Sequence, residues 1–424
     1  MAERRTVRAW LWALGALTAA LLLAFALVVG PWLLTQHPQT GLTAEQALKA
    51  KNDVRTTLVQ ALAGLAVAGG AMVTYRTFRQ NQVEQDRSYA LRQAEQVNAL
   101  YIKAVEQLGH SQAPVRLGAL YSLVHLGQAN PQQRQTVVDV LCAYLRMPFP
   151  LPDSDTRGIE QEYAQQLQVR LAAQRLLADH LRLPEGASSE GVQELLPSPN
   201  EPFWPGMSLD LAGATLIGFD LHRASVIRAT FDRATFTGRT YFGSTTFNGG
   251  ASFRKACFLD VAWFDEATLA GGADFGDATF TLEVEFVDAK FTRGASFEKT
   301  TFKHDARFVF STFGDPATFY GASFIGGAWF DEANFWGIAW FKKATFSGGV
   351  SFGGTKAADI DLREARVLPF DDEYLSNGRD LMRFWPPDWA VQADADDSRY
   401  GTLVREEHAE TAVPAVPSAE PTSD

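Results

Sequence analysis

The residues with chemical potential in this chain are few and scattered. Gly349-Val350-Ser351-Phe352-Gly353 has the G-x-S-x-G spacing of a nucleophile elbow. Such an elbow needs a strand that turns sharply into a helix, so that the serine hydroxyl stands free beside a base. Phe352 instead belongs to a regular apolar repeat and no helical pattern follows it, so Ser351 is not read as a nucleophile. Asp394, Asp396 and Asp397 would attract a divalent cation, but they lack the glycine and the later glutamate of a calcium loop and read as a solvated acidic run. The histidines (His37, His110, His125, His180, His222, His304 and His408) include no pair with zinc-ligand spacing and a glutamate partner. Cys142 and Cys257 form neither a CxxC pair nor a disulfide framework. Cys142 fits a small buried side chain, whereas Cys257 precedes an inward position and reads as exposed. No Walker or GxGxxG phosphate loop occurs. The sequence therefore predicts no catalytic residue, no cofactor and no metal.

What the chain has instead is order. From Phe231 to Phe352 an apolar residue recurs in steps of five and six. One set is Phe231, Phe242, Phe253, Phe264, Phe275, Phe286, Phe297, Phe308, Phe319, Phe330, Phe341 and Phe352; between them lie Phe236, Phe247, Phe258, Leu269, Phe280, Phe291, Phe302, Phe313, Phe324, Phe335 and Phe346. A small residue, mostly alanine, stands two positions before nearly every one. A period of eleven also suits a helical coil, but the units are rich in Gly, Thr, Ser, Phe and Asp, and poor in the strong helix formers. In extended backbone, residues two apart point the same way. Alanine and phenylalanine thus point inward, and the residue between them points out. Upstream, Leu211, Leu216, Leu221, Val226 and Phe231 are spaced by five.

This run, with Asp-Leu-Ala-Gly-Ala-Thr-Leu-Ile-Gly-Phe-Asp-Leu at its head, resembles the pentapeptide-repeat family, whose unit is A-[D/N]-[L/F]-x-x. The resemblance covers residues 207–352, about a third of the chain. It implies a right-handed, four-sided parallel β-helix with one repeat per side. This sequence departs from the family pattern in adding a residue to every second unit and in preferring Phe to Leu. One coil then takes 22 residues rather than 20, and nearly seven coils at about 4.8 Å each give a rod on the order of 30 Å long.

The remaining elements must hold and place that rod. Residues 9–35 carry no charge, are bounded by Trp10, Trp12 and Trp32, and are long enough to span a hydrocarbon core of about 30 Å. A second, weaker span covers 55–75, where Gly64 with Ala68 and Ala66 with Gly70 give small-xxx-small spacing; a buried soluble helix is the alternative there. Arg4, Arg5 and Arg8 precede the first span and Arg76, Arg79, Arg87 and Arg92 follow the second, which places both ends in the cytoplasm. Residues 1–8 are then a cytoplasmic N-terminus and 36–54 an external loop. Residues 76–183 read as a cytoplasmic helical domain with a HEAT-like arrangement, similar to the region before the repeats in membrane-bound bacterial members of the family. Residues 184–206 read as a proline-rich linker, 207–356 as the β-helix, 357–390 as a cap over its last coil, and 391–424 as a disordered acidic tail. The fold class expected is thus multi-domain: two transmembrane α-helices, an α-helical domain and a β-helix, in a multi-pass protein of the cell membrane that contacts lipid through residues 9–75.

Net charge is −11, unevenly spread. Residues 206–356 hold 14 basic and 16 acidic side chains, net −2, while 357–424 hold 6 and 16, net −10. The best hint of function is outward aromatics. Trp263, Trp329 and Trp340 precede inward Phe residues and Trp336 follows one; they read as a contact surface for a protein partner, or, for the last three, as residues covered by the C-terminal cap. The leading expectation is a membrane-anchored, non-enzymatic scaffold with an unknown protein partner. The alternative, drawn from the family, is a DNA-mimicking regulator of a type II topoisomerase. Mimicry of duplex DNA demands a strongly acidic rod, and a net charge of −2 does not supply one, nor is nucleic acid an expected partner.

Overall fold

A computed structural model describes residues 43–149, 160–186, 201–368, 383–393 and 400–405, with isolated helical positions between Thr18 and Val29. The first expected span, 9–35, otherwise lies outside the described residues, as do Asp394, Asp396 and Asp397. The chain divides into two compact units, 1–96 and 97–424.

Helix α1 runs without a break from Ala44 to Leu108. Its start falls inside the stretch read as an external loop, 36–54, and it passes straight through the expected boundary at 75–76. Both differences have local causes. Thr43 donates its backbone N–H to Gln46 Oε1 at 3.2 Å, half of a capping box, and Ala44–Lys51 are mostly strong helix formers. No glycine or proline interrupts Ala71–Leu108. This helix is long and apolar enough to cross a membrane, which suggests membrane anchoring.

In the second unit, α2 (Ala113–Ala129), α3 (Arg134–Arg146) and α4 (Glu160–Leu181) pack through Leu120, Leu123, Val137, Leu141, Leu145, Ala173 and Leu177. The segment read as a linker, 184–206, is partly core. Phe203 and Trp204 are buried. Trp204 stacks on His180 at 4.2 Å, its indole N–H donates to Gln128 at 2.8 Å, and it fills the space beside Gly127. The prolines that signal a linker here deliver an aromatic anchor.

From Leu209 the chain winds into a β-solenoid of parallel strands, most of them two residues long, with four faces per turn and about seven turns. Strands on the first face pair Leu209↔Ala229, then Ala251↔Ala273; the second pairs Thr235↔Cys257 and Thr279↔Thr301; the third pairs Ala262↔Val284; the fourth pairs Thr268↔Lys290. The register step is 20 residues between the first two coils and 22 through the middle of the solenoid, as the five-and-six spacing requires, with steps of 21 at Ser225↔Thr246 and Thr345↔Arg366.

The two step lengths are two kinds of corner. Each five-residue step holds a tight turn in which the ladder carbonyl accepts from the small residue three ahead: Ala234 N–H to Phe231 at 3.0 Å, Ala256 to Phe253, Ala267 to Phe264. The residue before that alanine is left-handed, as at Arg233 (φ 56°), Lys255 and Glu266. The six-residue steps make looser corners. At one of them coils approach so closely that a Cβ on Gly271 would lie 2.1 Å from the Gly249 carbonyl carbon, so only glycine fits.

Inside, the ladder residues are buried without exception, and form stacked columns. Phe236, Phe258, Phe280, Phe302 and Phe324 stack ring on ring at 4.4–5.3 Å, while neighbouring columns meet edge to face, as Phe253 does Phe264 at 5.6 Å. Such pairs add about 0.5–1.5 kcal/mol each beyond area burial.

Both ends of the coil are closed by other parts of the chain. At the start, two glutamine side chains act as substitute strands. Gln174 Oε1 accepts from Ile217 N–H at 3.0 Å while its amide donates to Ile217 O at 2.8 Å; Gln135 does the same to Ser208, at 2.9 Å each way. Arg170 donates to Thr215 O at 3.0 Å. At the far end the coil continues beyond 356: Lys356–Asp361 and Arg366–Val367 form a further turn, with Leu362 and Val367 buried. The tail expected to lack structure from Val391 contributes a hairpin, Trp389–Ala393 with Gly401–Arg405, which pairs antiparallel to Arg366–Val367. The alternation of Trp389, Val391 and Leu403 supplies one apolar face, and the terminal coil has an open edge to fill.

Candidate interaction surfaces of the coil

With its interior filled by rings, the solenoid can act only through its outward residues. The third face carries one column: Tyr241, Trp263, Glu285, Arg307, Trp329 and Ser351. Trp263 is half-buried and stacks on Tyr241 at 4.8 Å. Trp329 is half-buried too, with its N–H 3.4 Å from Asp305. Between them Arg307 pairs with Glu283 at 3.0 Å and Glu285 at 3.6 Å. Trp340 lies on the first face, opposite, and with Trp389 and Arg405 of the hairpin lines a cleft of 540 Å³. Trp336 stands at the border of the fourth and first faces and is 70% exposed. The four tryptophans therefore do not share a patch: two stand on one column three coils apart, one sits beside the terminal hairpin, and one is open.

Ser351 lies in a two-residue strand of the third face, is buried, and donates its hydroxyl to Asp331. That placement is the ordinary outward position of a coil. Cys142 is buried against α3's neighbours, which pushes its thiol up to about 12. Cys257 is half-buried on the second face, between Thr235 and Thr279 in the ladder. Among the described residues, no group of three or more His, Cys, Asp or Glu is placed to hold a metal ion.

Charge on the coil is banded. Residues 223–255 hold six basic side chains and one acidic, 256–289 hold eight acidic and none basic, and 290–307 hold five basic and two acidic. The net −2 of the repeats hides these alternations. In the acidic band Asp265 has a buried Oδ1 with no hydrogen-bond partner. Burial, and then Glu285, push its carboxyl up to about 6.

Three kinds of residue escape a reading of the sequence. Gln135, Gln174 and Arg170 look like ordinary polar helix positions; only a helix face that runs out of apolar residues where it meets a strand edge would mark them. Arg134 is fully buried, 5.5 Å from the Trp204 ring, in a position that a helical pattern assigns to the surface. Phe310 is 54% exposed; a phenylalanine that falls outside the five-and-six spacing is the signal that would mark it.

The family model described as Pentapeptide repeats (9 copies) matches residues 210–268, 264–312 and 311–356. No curated protein matches the chain.

Proposed function

With residues 210–356 forming pentapeptide-repeat coils, we propose that this chain is a membrane-anchored, non-enzymatic scaffold whose rod presents a protein-binding face on the cytoplasmic side. The observation that carries this reading is the division of labour in the coil: every ladder side chain is spent on the core, and the outward columns vary from coil to coil in charge and aromatic content. A surface that varies over a fixed backbone suits specific recognition. The anchor is read as a hairpin of two spans, 9–35 and the apolar part of α1, with both chain ends cytoplasmic. The helical domain, read as a short HEAT-like stack, seats the first coil. Bands of both signs do not favour mimicry of the uniformly negative DNA backbone.

Two deletions test the rod's role. Removing Gly314–Phe335 takes out one whole turn of 22 residues, so the faces on either side rejoin in direction. Removing Gly314–Phe324 takes out eleven and turns everything downstream by half a revolution. Both preserve the five-and-six alternation. Partners recovered with the detergent-extracted chain should survive the first cut better than the second, once circular dichroism has shown both variants folded. Equal recovery by both would end the one-sided scaffold reading and move binding to the helical domain or the tail.

A further inference from the structure

Thirteen non-glycine residues have positive φ among the described residues, and twelve of them are Arg, Lys, Glu, Asp or Ser. The exception is Phe310, at φ 58° and 54% exposed. A bulky side chain is disfavoured in left-handed backbone, and the neighbouring coils use Gly321 and Gly354 at equivalent corners without that cost. The position thus holds an aromatic ring out in solvent in a conformation that glycine would adopt freely. Strain kept at an exposed position is a mark of use rather than of packing.

Its surroundings say what it would meet. Along the same corner, one coil apart, stand Glu266, Asp288, Phe310 and Glu332, and no ion pair joins these carboxylates to a lysine or arginine. Glu266, Asp288 and Phe310 line a groove of 520 Å³ whose lining includes Thr268 and Thr312 and two cations, Lys290 beside Asp288 and Arg223, which donates to Pro184 O at 3.1 Å. Across the fourth face, one coil on, is Trp336, 70% exposed and directly above Gly314 in the coil below. Among the described residues the exposed aromatics of the solenoid are Phe310, Trp336 and Phe384, which pairs beside Ser351 on the third face; Phe310 and Trp336 border the same face.

We infer that the fourth face between Phe310 and Trp336 docks a basic, extended polypeptide segment of a partner protein. The assignment rests on the scaffold reading and names its binding face. Cationic side chains of the segment pair with Glu266, Asp288 and Glu332 and lie over the Phe310 ring, where a cation and an aromatic face attract. Trp336 supplies a broad apolar contact at the other border.

The test uses the full chain in a non-ionic detergent and a fluorescent eight-residue peptide of alternating Arg and Ala, with a Glu–Ala peptide as control. The Arg peptide should bind, and the Glu peptide should not. Phe310→Gly combined with Trp336→Ala should weaken binding by about tenfold or more, on the scale of hot-spot truncation. Glu266→Gln with Asp288→Asn should weaken it and flatten its salt dependence. Thr279→Ala with Thr301→Ala, on the second face, should change nothing. Phe310→Gly alone should raise the melting temperature, because glycine relieves the corner while removing the contact. Equal binding of both peptides, or undiminished binding by both altered pairs, overturns the docking assignment. That failure would leave the scaffold reading standing, since the deletion pair decides it separately.

Discussion

At the scale of single residues, inward and outward positions differ sharply in cost. Phe302 is buried between Phe280 and Phe324, at 5.3 and 4.9 Å. Phe302→Ala is expected to cost about 3–5 kcal/mol from lost transfer energy and the cavity left behind. Thr301→Ala, its outward neighbour, should stay within about half a kcal/mol. Denaturant unfolding of the two variants checks this, and similar values would contradict the assignment of faces. The distinction was legible in the sequence because small-x-Phe fixes which residues share a side. The carboxyl of Asp265 was not legible, since its environment comes from the next coils. Its pKa is raised to about 6 in the fold against an ordinary 3.8. The folded chain therefore holds this proton more tightly than the unfolded chain. Asp265 costs nothing below the ordinary value; stability is lost as pH rises between the two values, and the full penalty applies above about 6. Asp265→Asn should raise the melting temperature more at about pH 8 than at about pH 4. A gain independent of pH would mean that charge is not the cause.

At the scale of elements, the ends of the coil matter more than its middle. Each central strand is hydrogen-bonded above and below, but the first coil has an open edge that α3 and α4 must close. Gln174 supplies both a donor and an acceptor to Ile217, as a neighbouring strand would. Gln174→Ala should leave both groups unpaired beneath a helix and cost about 1–3 kcal/mol. Gln166→Ala, half a helix away on α4, serves as the comparison. Thermal unfolding that responds equally to the two would show the amide plug to be incidental. The repeat coil was the readable element, because its period repeats many times over. The caps occur once each, so periodicity gives no signal. Trp204 hides in a proline-rich stretch, and the hairpin of Trp389–Ala393 and Gly401–Arg405 hides in an acidic one. In both, a few apolar residues at the right spacing outweigh composition.

At the scale of the whole molecule, the expected anchor makes a prediction of its own. On the proposed hairpin of two spans, Arg4, Arg5 and Arg8 before the first and Arg76, Arg79, Arg87 and Arg92 after the second would place both termini inside. With Cys142 and Cys257 replaced, a cysteine introduced by Gln39→Cys should react with an impermeant thiol reagent in intact cells, while one introduced by Ser418→Cys should not. The opposite labelling pattern would reverse the orientation. A chain held at one end by a membrane and gripped along its rod by a partner would also bear load. The backbone hydrogen bonds between coils, such as Phe297 N–H to Thr318 O at 2.7 Å, join one turn to the next. A pull along the rod axis would therefore strain them a few at a time, as a zipper opens, rather than all together. Each turn of 22 residues released would add about 70–80 Å of slack. Stretched between beads in an optical trap, the coil should lengthen in steps of about that size at low force. A single rupture of the whole rod would show that the stacked rings, and not the seams between turns, set its mechanical strength.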